Sequence, residues 1–152
     1  MELILWRHAE AEDGEPDDSR VLTSKGRRQA ARIAQWLDRN LPSSCRILTS
    51  PAARTVQTVE RLGRKYKIHP ELAPDSDPTR ILAAVNWPVG REPVLVVGHQ
   101  PWLGQTAAFI LTGTSQDWPV RKGCVWWLAH RERDGRTENY LKTVMAPELV
   151  AK

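Results

Sequence analysis

Two uninterrupted apolar runs, Leu3-Ile4-Leu5-Trp6 and Pro93-Val94-Leu95-Val96-Val97, limit this chain's possible folds more than any other feature. A strand with one wet face alternates apolar and polar residues, whereas a continuous run must be covered on both sides. Such strands belong to sheets sandwiched between helices. Both runs also stop abruptly on polar side chains, the first at Arg7-His8 and the second at Gly98-His99. A core strand that ends in charge needs a reason to do so.

The segments between these runs supply the covering layers. Thr23 is placed to cap a helix over Ser24–Asn40, with Ala30, Ile33, Ala34 and Leu37 at helical spacing. "RILTS" at 46–50 predicts a short second strand, and Pro51 predicts the start of a helix reaching to about Tyr66. "KIHPELAP" reads as a short strand and loop, followed by a weaker helix over Pro78–Val85. "EPVLVVGH" is the clearest strand, and "QPWLGQTAAFILTG" the helix after it, with Gly113 near its end. The last third predicts two strands joined at Asp134-Gly135, a pair suited to a hairpin turn. Strand–helix alternation followed by a hairpin predicts an α/β fold, a three-layer α/β/α sandwich around a mostly parallel sheet with a C-terminal antiparallel hairpin.

At 152 residues the chain is the size of one domain with one core, so residues 1–152 are expected to form a single domain. The first apolar run is too short and too charged for a signal peptide, and nothing approaches the ~18 apolar residues of a membrane helix. Cys45 and Cys124 are far apart and lack the spacing of a disulfide framework or a zinc site. The expectation is a reduced, cytoplasmic protein with no membrane partner. The formal charge of +4 raises the question of nucleic acid, but the densest basic groups, Arg27-Arg28-Arg32 and Arg61-Arg64-Lys65-Lys67, lie on predicted helices without interleaved aromatics. They read as solvated helix faces, with no nucleic-acid partner expected.

The polar strand ends have a common explanation. In an open parallel sheet the C-terminal strand ends share one edge, where ligands bind. Arg7 and His8 end one strand, His99 ends another, and Ser50 ends a third just before the helix bearing Arg54. Helical side chains lean toward the N-terminus, so Arg54 reaches the helix mouth, where backbone N–H groups and the positive dipole end favour an anion. The helix opened by Pro101 offers a second such mouth. Two arginines, two imidazoles and two helix ends describe a pocket for a doubly charged tetrahedral anion, phosphate above all. Nearby cations disfavour an imidazolium, so one histidine stays neutral and nucleophilic. His8 is that candidate. The reading requires no cofactor and no metal.

"LWRHAEAE", "LTSKGRRQA", "SPAARTVQT" and "VVGHQP" together resemble the ordered motifs of the histidine phosphatase superfamily, across residues 3 to 101. The short length, the lack of a long inserted cap and "DDSRVLTSKG" are most similar to SixA-type phosphohistidine phosphatases. The resemblance implies a phosphoglycerate-mutase-like fold without a large cap and a phosphatase that transfers the phosphoryl group to His8 and then to water. It implies a phosphate pocket of Arg7, Arg54 and His99, and a substrate contact from Arg20, the arginine before the Leu-Thr motif. Ala9 stands where the motif has glycine, which calls for a permissive backbone there. Larger members are similar in carrying a glutamate that protonates the leaving oxygen. Here Glu71, Asp75 and Asp77 are the candidates in the corresponding stretch. An absent acid costs an alcohol leaving group about 10²–10⁴ in rate and an imidazole far less, which favours a phosphohistidine-bearing protein as substrate.

Two other functions stay open. One is a phosphatase for small phosphomonoesters, with one of those three carboxylates as acid. The other is a non-catalytic module that binds phosphate or phosphoproteins. His69 and His130 read as structural hydrogen-bonders, Cys45 and Cys124 as small buried hydrophobes. Trp6, Trp36, Trp126 and Trp127 read as packing residues, and Trp102, directly after His99-Gln100-Pro101, as a rim residue touching the leaving group.

Overall fold

The computed structural model describes residues 1–151. Its strands are β1 (Glu2–Arg7), β2 (Arg46–Thr49), β3 (Lys67–Ile68), β4 (Val94–Gly98), β5 (Val125–Arg133) and β6 (Arg136–Met145). Its α-helices are α1 (Ser24–Asn40), α2 (Ala53–Glu60), α3 (Pro78–Ala84) and α4 (Trp102–Thr112). The strands form one sheet in the order β3-β2-β4-β1-β5-β6. The pairs β3–β2, β2–β4 and β4–β1 are parallel, and β5 and β6 add an antiparallel hairpin beside β1.

The continuous apolar runs are the sheet's centre, covered on both faces as their pattern requires. Ile4 and Trp6 point with Leu95 and Val97 into a core closed by Ala30, Ile33, Ala34 and Leu37 of α1 and Val59 of α2. Leu3 and Leu5 point with Val94 and Val96 to the other face, against Ile81 of α3 and Leu103, Ala107 and Ile110 of α4. Leu3, Ile4, Leu5 and Trp6 are fully buried. Each contributes roughly 1.5–3 kcal/mol relative to exposure, as an upper estimate. The three-layer sandwich is the architecture expected from the run pattern.

Most elements begin and end where their capping residues stand. Thr23 Oγ1 accepts the Gly26 N–H at 2.9 Å to open α1, and Asp77 accepts the Arg80 N–H at 3.0 Å to open α3. Gly113 closes α4 in the left-handed region. Asp134 and Gly135, at φ 53° and 75°, make the tight turn of the hairpin. The helix expected from Pro51 to Tyr66 is shorter at both ends. Its N-cap is Ala52, whose N–H is taken by Ser50 Oγ at 3.2 Å, and Gly63, at φ 71°, stops continuation beyond Arg61.

The tryptophans expected to pack do so: Trp6 and Trp127 lie in the first core, with Trp36 meeting Trp127 edge-on at 6.0 Å, and Trp126 flanks the second core. Both cysteines are free; Cys124 is buried, whereas Cys45 is only half-buried. No helix among the described residues is long and apolar enough to cross a membrane.

Candidate active site

Strand register brings the histidines together. Arg7 of β1 pairs with Gly98 of β4, so the next residue on each strand is a histidine, and the His8 N–H donates to the Gly98 carbonyl at 3.1 Å. The Ser50 N–H donates to Val97 at 3.1 Å, which brings the end of β2 to the same level. The rings of His8 and His99 lie 5.5 Å apart, and both residues are buried.

The surroundings of His8 determine its proton. Its Nδ1 lies 2.7 Å from the Ala9 carbonyl, which can only accept, so Nδ1 carries the hydrogen and Nε2 keeps its lone pair. Burial, partly opposed by that hydrogen bond, and then the charges of Arg54, Arg7 and Arg20 push the imidazole down to about 4. The ring is neutral at neutral pH, and burial contributes more to that than the neighbouring cations do. Ala9 is pinned in turn, its N–H donating to Thr58 Oγ1 at 3.1 Å while that hydroxyl donates to the Arg54 carbonyl at 2.7 Å. Among the described residues Asn86 and Asp134 are the non-glycine residues with positive φ, so Ala9 occupies the motif's glycine position without a left-handed backbone.

His99 is held by Ser50, whose Oγ lies 2.7 Å from Nε2. Ser50 is fully buried and the other partner of its Oγ, the Ala52 N–H, can only donate, so the hydroxyl proton is satisfied by Nε2 and the His99 hydrogen sits on Nδ1. Burial, then His8, Arg54 and Arg7, push His99 down to about 3 against the opposing charge of Asp17. The arginines are fixed as well. Arg7 donates to the Val120 carbonyl at 2.9 Å. Arg54, in the first turn of α2 and 3% exposed, donates to the carbonyl of Asp17 at 2.9 Å and to its Oδ2 at 3.0 Å. Arg20 reaches Asp17 Oδ1 at 3.1 Å and the Glu12 carbonyl at 3.2 Å.

Buried groups without protein partners include Arg7 Nε, Arg54 Nε and His99 Nδ1. All three are donors. A buried donor set with no acceptor calls for an anion, because leaving each such group unsatisfied costs about 1–3 kcal/mol.

Two expectations, for Trp102 and for the mouth of α4, are corrected. Trp102 is fully buried, donates from Nε1 to the Ala73 carbonyl at 3.0 Å and packs on Gly98, so it is a core residue and not a rim residue. The mouth of α4 is partly occupied: the Leu103 N–H goes to His99 and the Gly104 N–H to Gln100 Oε1. Glu71 and Asp77 are both paired with Arg80, and Asp77 also caps α3. Asp75 is exposed. His69 Nδ1 accepts the Glu71 N–H, and His130 bonds Asn139. Asp17, Ser50 and Thr58 are the partners that sequence reasoning did not assign. Ser50 and Thr58 sit in the Ser-Pro-x-x-Arg stretch at helical spacing from Arg54, a signal that was readable, whereas nothing distinguishes Asp17 within its acidic loop.

The Escherichia coli (strain K12) phosphohistidine phosphatase SixA is 30% identical over 122 residues, covering 74% of this chain and 76% of that protein. The chain belongs to the histidine phosphatase superfamily. The model of that superfamily's branch 1 matches residues 3–76, which takes in Arg7, His8, Arg20 and Arg54. A structure of the protein histidine phosphatase SixA complexed with tungstate superposes with a TM-score of 0.77 at 26% identity, covering 97% of both chains. A proposed SixA from Nakamurella multipartitia gives 0.79 at 27%, covering 96% of this chain and 95% of the other. This SixA-like histidine phosphatase superfamily member is a phosphatase with the phosphoglycerate-mutase-like fold that its motifs imply.

Proposed function

We propose that this superfamily member is a metal-independent phosphohistidine phosphatase acting on a protein, with His8 as nucleophile. His8 Nε2 attacks phosphorus, and the N–P bond to the substrate imidazole breaks with its electron pair returning to that nitrogen. The distal ring nitrogen carries a proton taken from solvent, so the imidazole leaves neutral and the phosphoryl group rests on His8. Water then attacks, releasing inorganic phosphate and restoring the lone pair. Arg7, Arg54 and His99 Nδ1 donate to the phosphoryl oxygens through both steps, with Arg20 at the margin of the pocket. A related SixA forms a complex with tungstate, a tetrahedral oxyanion, which supports reading this fold as one that takes a phosphate-like anion.

One observation carries the choice of leaving group. The carboxylate in contact with Arg54 is Asp17, and against the desolvation that would raise it, hydrogen bonds and charges from Arg54 and Arg20 hold it below its ordinary value. It is ionised at neutral pH and has no proton to give. An alkoxide leaving without a proton is costly, whereas transfer from one imidazole to another exchanges like bonds. The deciding experiment is phosphorus NMR on a phosphohistidine peptide and a phosphoserine peptide in one tube, without divalent metal. Consumption of the phosphohistidine alone, abolished by His8→Ala, is expected; faster loss of the phosphoserine would overturn the reading.

A further inference from the structure

The proposed pocket does not end at Arg7. Lys25, Arg28 and Arg32 fall at helical spacing on one stripe of α1. The tight approach of Gly26 to the Glu10 backbone, which leaves no room for a Cβ, presses the start of that helix against the segment following His8. From the other side, the Gly123 N–H donates to the carbonyls of Arg7 and His8, so Arg121 and Lys122 are brought to the same place. The result is two adjoining hollows of about 300 and 370 Å³ that share Lys25, Gln29, Arg121 and Glu148. The first reaches Arg7, and the second extends along α1 past Arg28 and Arg32.

Six cations line this trough, Arg7, Lys25, Arg28, Arg32, Arg121 and Lys122, against the two carboxylates Glu10 and Glu148. That local excess equals the formal +4 of the whole chain. Glu148 meets Arg121 at a loose 3.8 Å, with both groups largely in solvent, and Glu10 accepts a hydrogen bond from Thr23. Among the described residues, Lys25, Arg28, Arg32 and Lys122 have no carboxylate partner. The helix face that reads as merely solvated in the sequence is one wall of a cleft.

We infer that this trough docks an acidic segment flanking the phosphorylated residue of the protein substrate. The inference rests on the proposed phosphatase reading and deepens it by naming the substrate's surface. Charge complementarity argues for an acidic occupant, and the shared residue Arg7 ties it to the chain that presents the phosphoryl group. No aromatic side chain lines either hollow, so a nucleic acid would find no surface on which to stack.

The test is fluorescence anisotropy on the full chain with a labelled, unphosphorylated Asp/Glu-rich peptide, a neutral peptide of equal length, and the variant R28E/R32E/K122E. Turnover of phosphoramidate, which is small enough to occupy the His8 pocket alone, and circular dichroism are measured in parallel. The acidic peptide should bind more tightly than the neutral one, lose affinity as salt rises, and bind the variant about tenfold or more weakly. Phosphoramidate turnover and the fold should be unchanged. Equal binding of both peptides, undiminished binding by the variant, or displacement of the acidic peptide by a lower concentration of single-stranded oligonucleotide would each overturn the inference. Anisotropy reports docking and phosphoramidate reports chemistry, so failure of the phosphatase reading would leave the anisotropy result standing.

Discussion

Asp17 grips Arg54 at two points, with its backbone carbonyl at 2.9 Å and its Oδ2 at 3.0 Å, while its other carboxylate oxygen holds Arg20 at 3.1 Å. One exposed acid on a 3₁₀ turn thus sets the attitude of a buried guanidinium. Asp17 takes one hydrogen from each terminal nitrogen, and Arg54 Nε is left as a buried, unpaired donor. The pairing is therefore a positioning device, and a planar fork is well suited to it.

Asp17→Ala should lower kcat/KM by about tenfold, since a misplaced charge stabiliser commonly costs that much or more. Asp17→Asn retains an acceptor and the backbone carbonyl and should recover most of the loss. Steady-state kinetics on a phosphohistidine peptide would check both. Equal activity in all three proteins would show that Arg54 needs no such guide.

Ser50→Ala removes the hydroxyl that fixes the His99 tautomer and leaves Nε2 buried without a partner. The expected loss is about 1–3 kcal/mol of stability together with a fall in kcat, because the hydrogen is then free to move from Nδ1 to the other ring nitrogen. Urea unfolding and kinetics on the same preparation separate the two effects. A variant with native stability and native turnover would refute the assignment.

Gly98 lies against the indole of Trp102 so closely that a Cβ there would fall 2.0 Å from the ring. Gly98→Ala should therefore destabilise by roughly 1–3 kcal/mol, the usual cost of overpacking. In a Trp102→Phe background, where the clashing part of the indole is gone, the same change should cost much less. A double-mutant cycle measures that coupling, and strict additivity would contradict the packing described.

These contacts show what a single sequence makes legible. Continuous apolar runs identify strands covered on both faces, and residues that follow such strands share an edge, so Arg7, His8 and His99 could be placed together before any coordinates. Thr23, Pro78, Gly113 and Asp134-Gly135 mark their boundaries because capping and turn chemistry are local. The end of α2 was less visible, since Arg61 to Tyr66 has ordinary helical composition and only Gly63 stops it. Asp17 was hidden because its partner is distant in sequence and its neighbours are equally acidic. Trp102 was misplaced because adjacency to His99 in sequence says nothing about which side of β4 a ring packs on. The trough was invisible for a similar reason: its walls come from α1 and from the loop before β5, and no local window contains both.

Acid should weaken this fold through its histidines. An unfolded histidine titrates near 6.5, whereas folded His8 is held at about 4 and His99 at about 3. Between those values the unfolded chain binds protons that the native chain refuses, so stability rises with pH across that window. The contribution is complete above pH ~6.5 and is lost as the pH falls toward the folded values, by an amount on the order of a few kcal/mol for each ring. Asp17 adds to the loss in stronger acid, since its lowered pKa favours the native state only while the carboxylate is ionised. His8→Asn keeps a side-chain N–H able to reach the Ala9 carbonyl but has no proton to gain. Urea midpoints measured from pH ~7.5 down to ~4.5 should therefore fall less steeply for His8→Asn than for the unaltered chain. Parallel curves would mean that His8 titrates alike in the folded and unfolded chain, so that its surroundings do not hold the ring neutral.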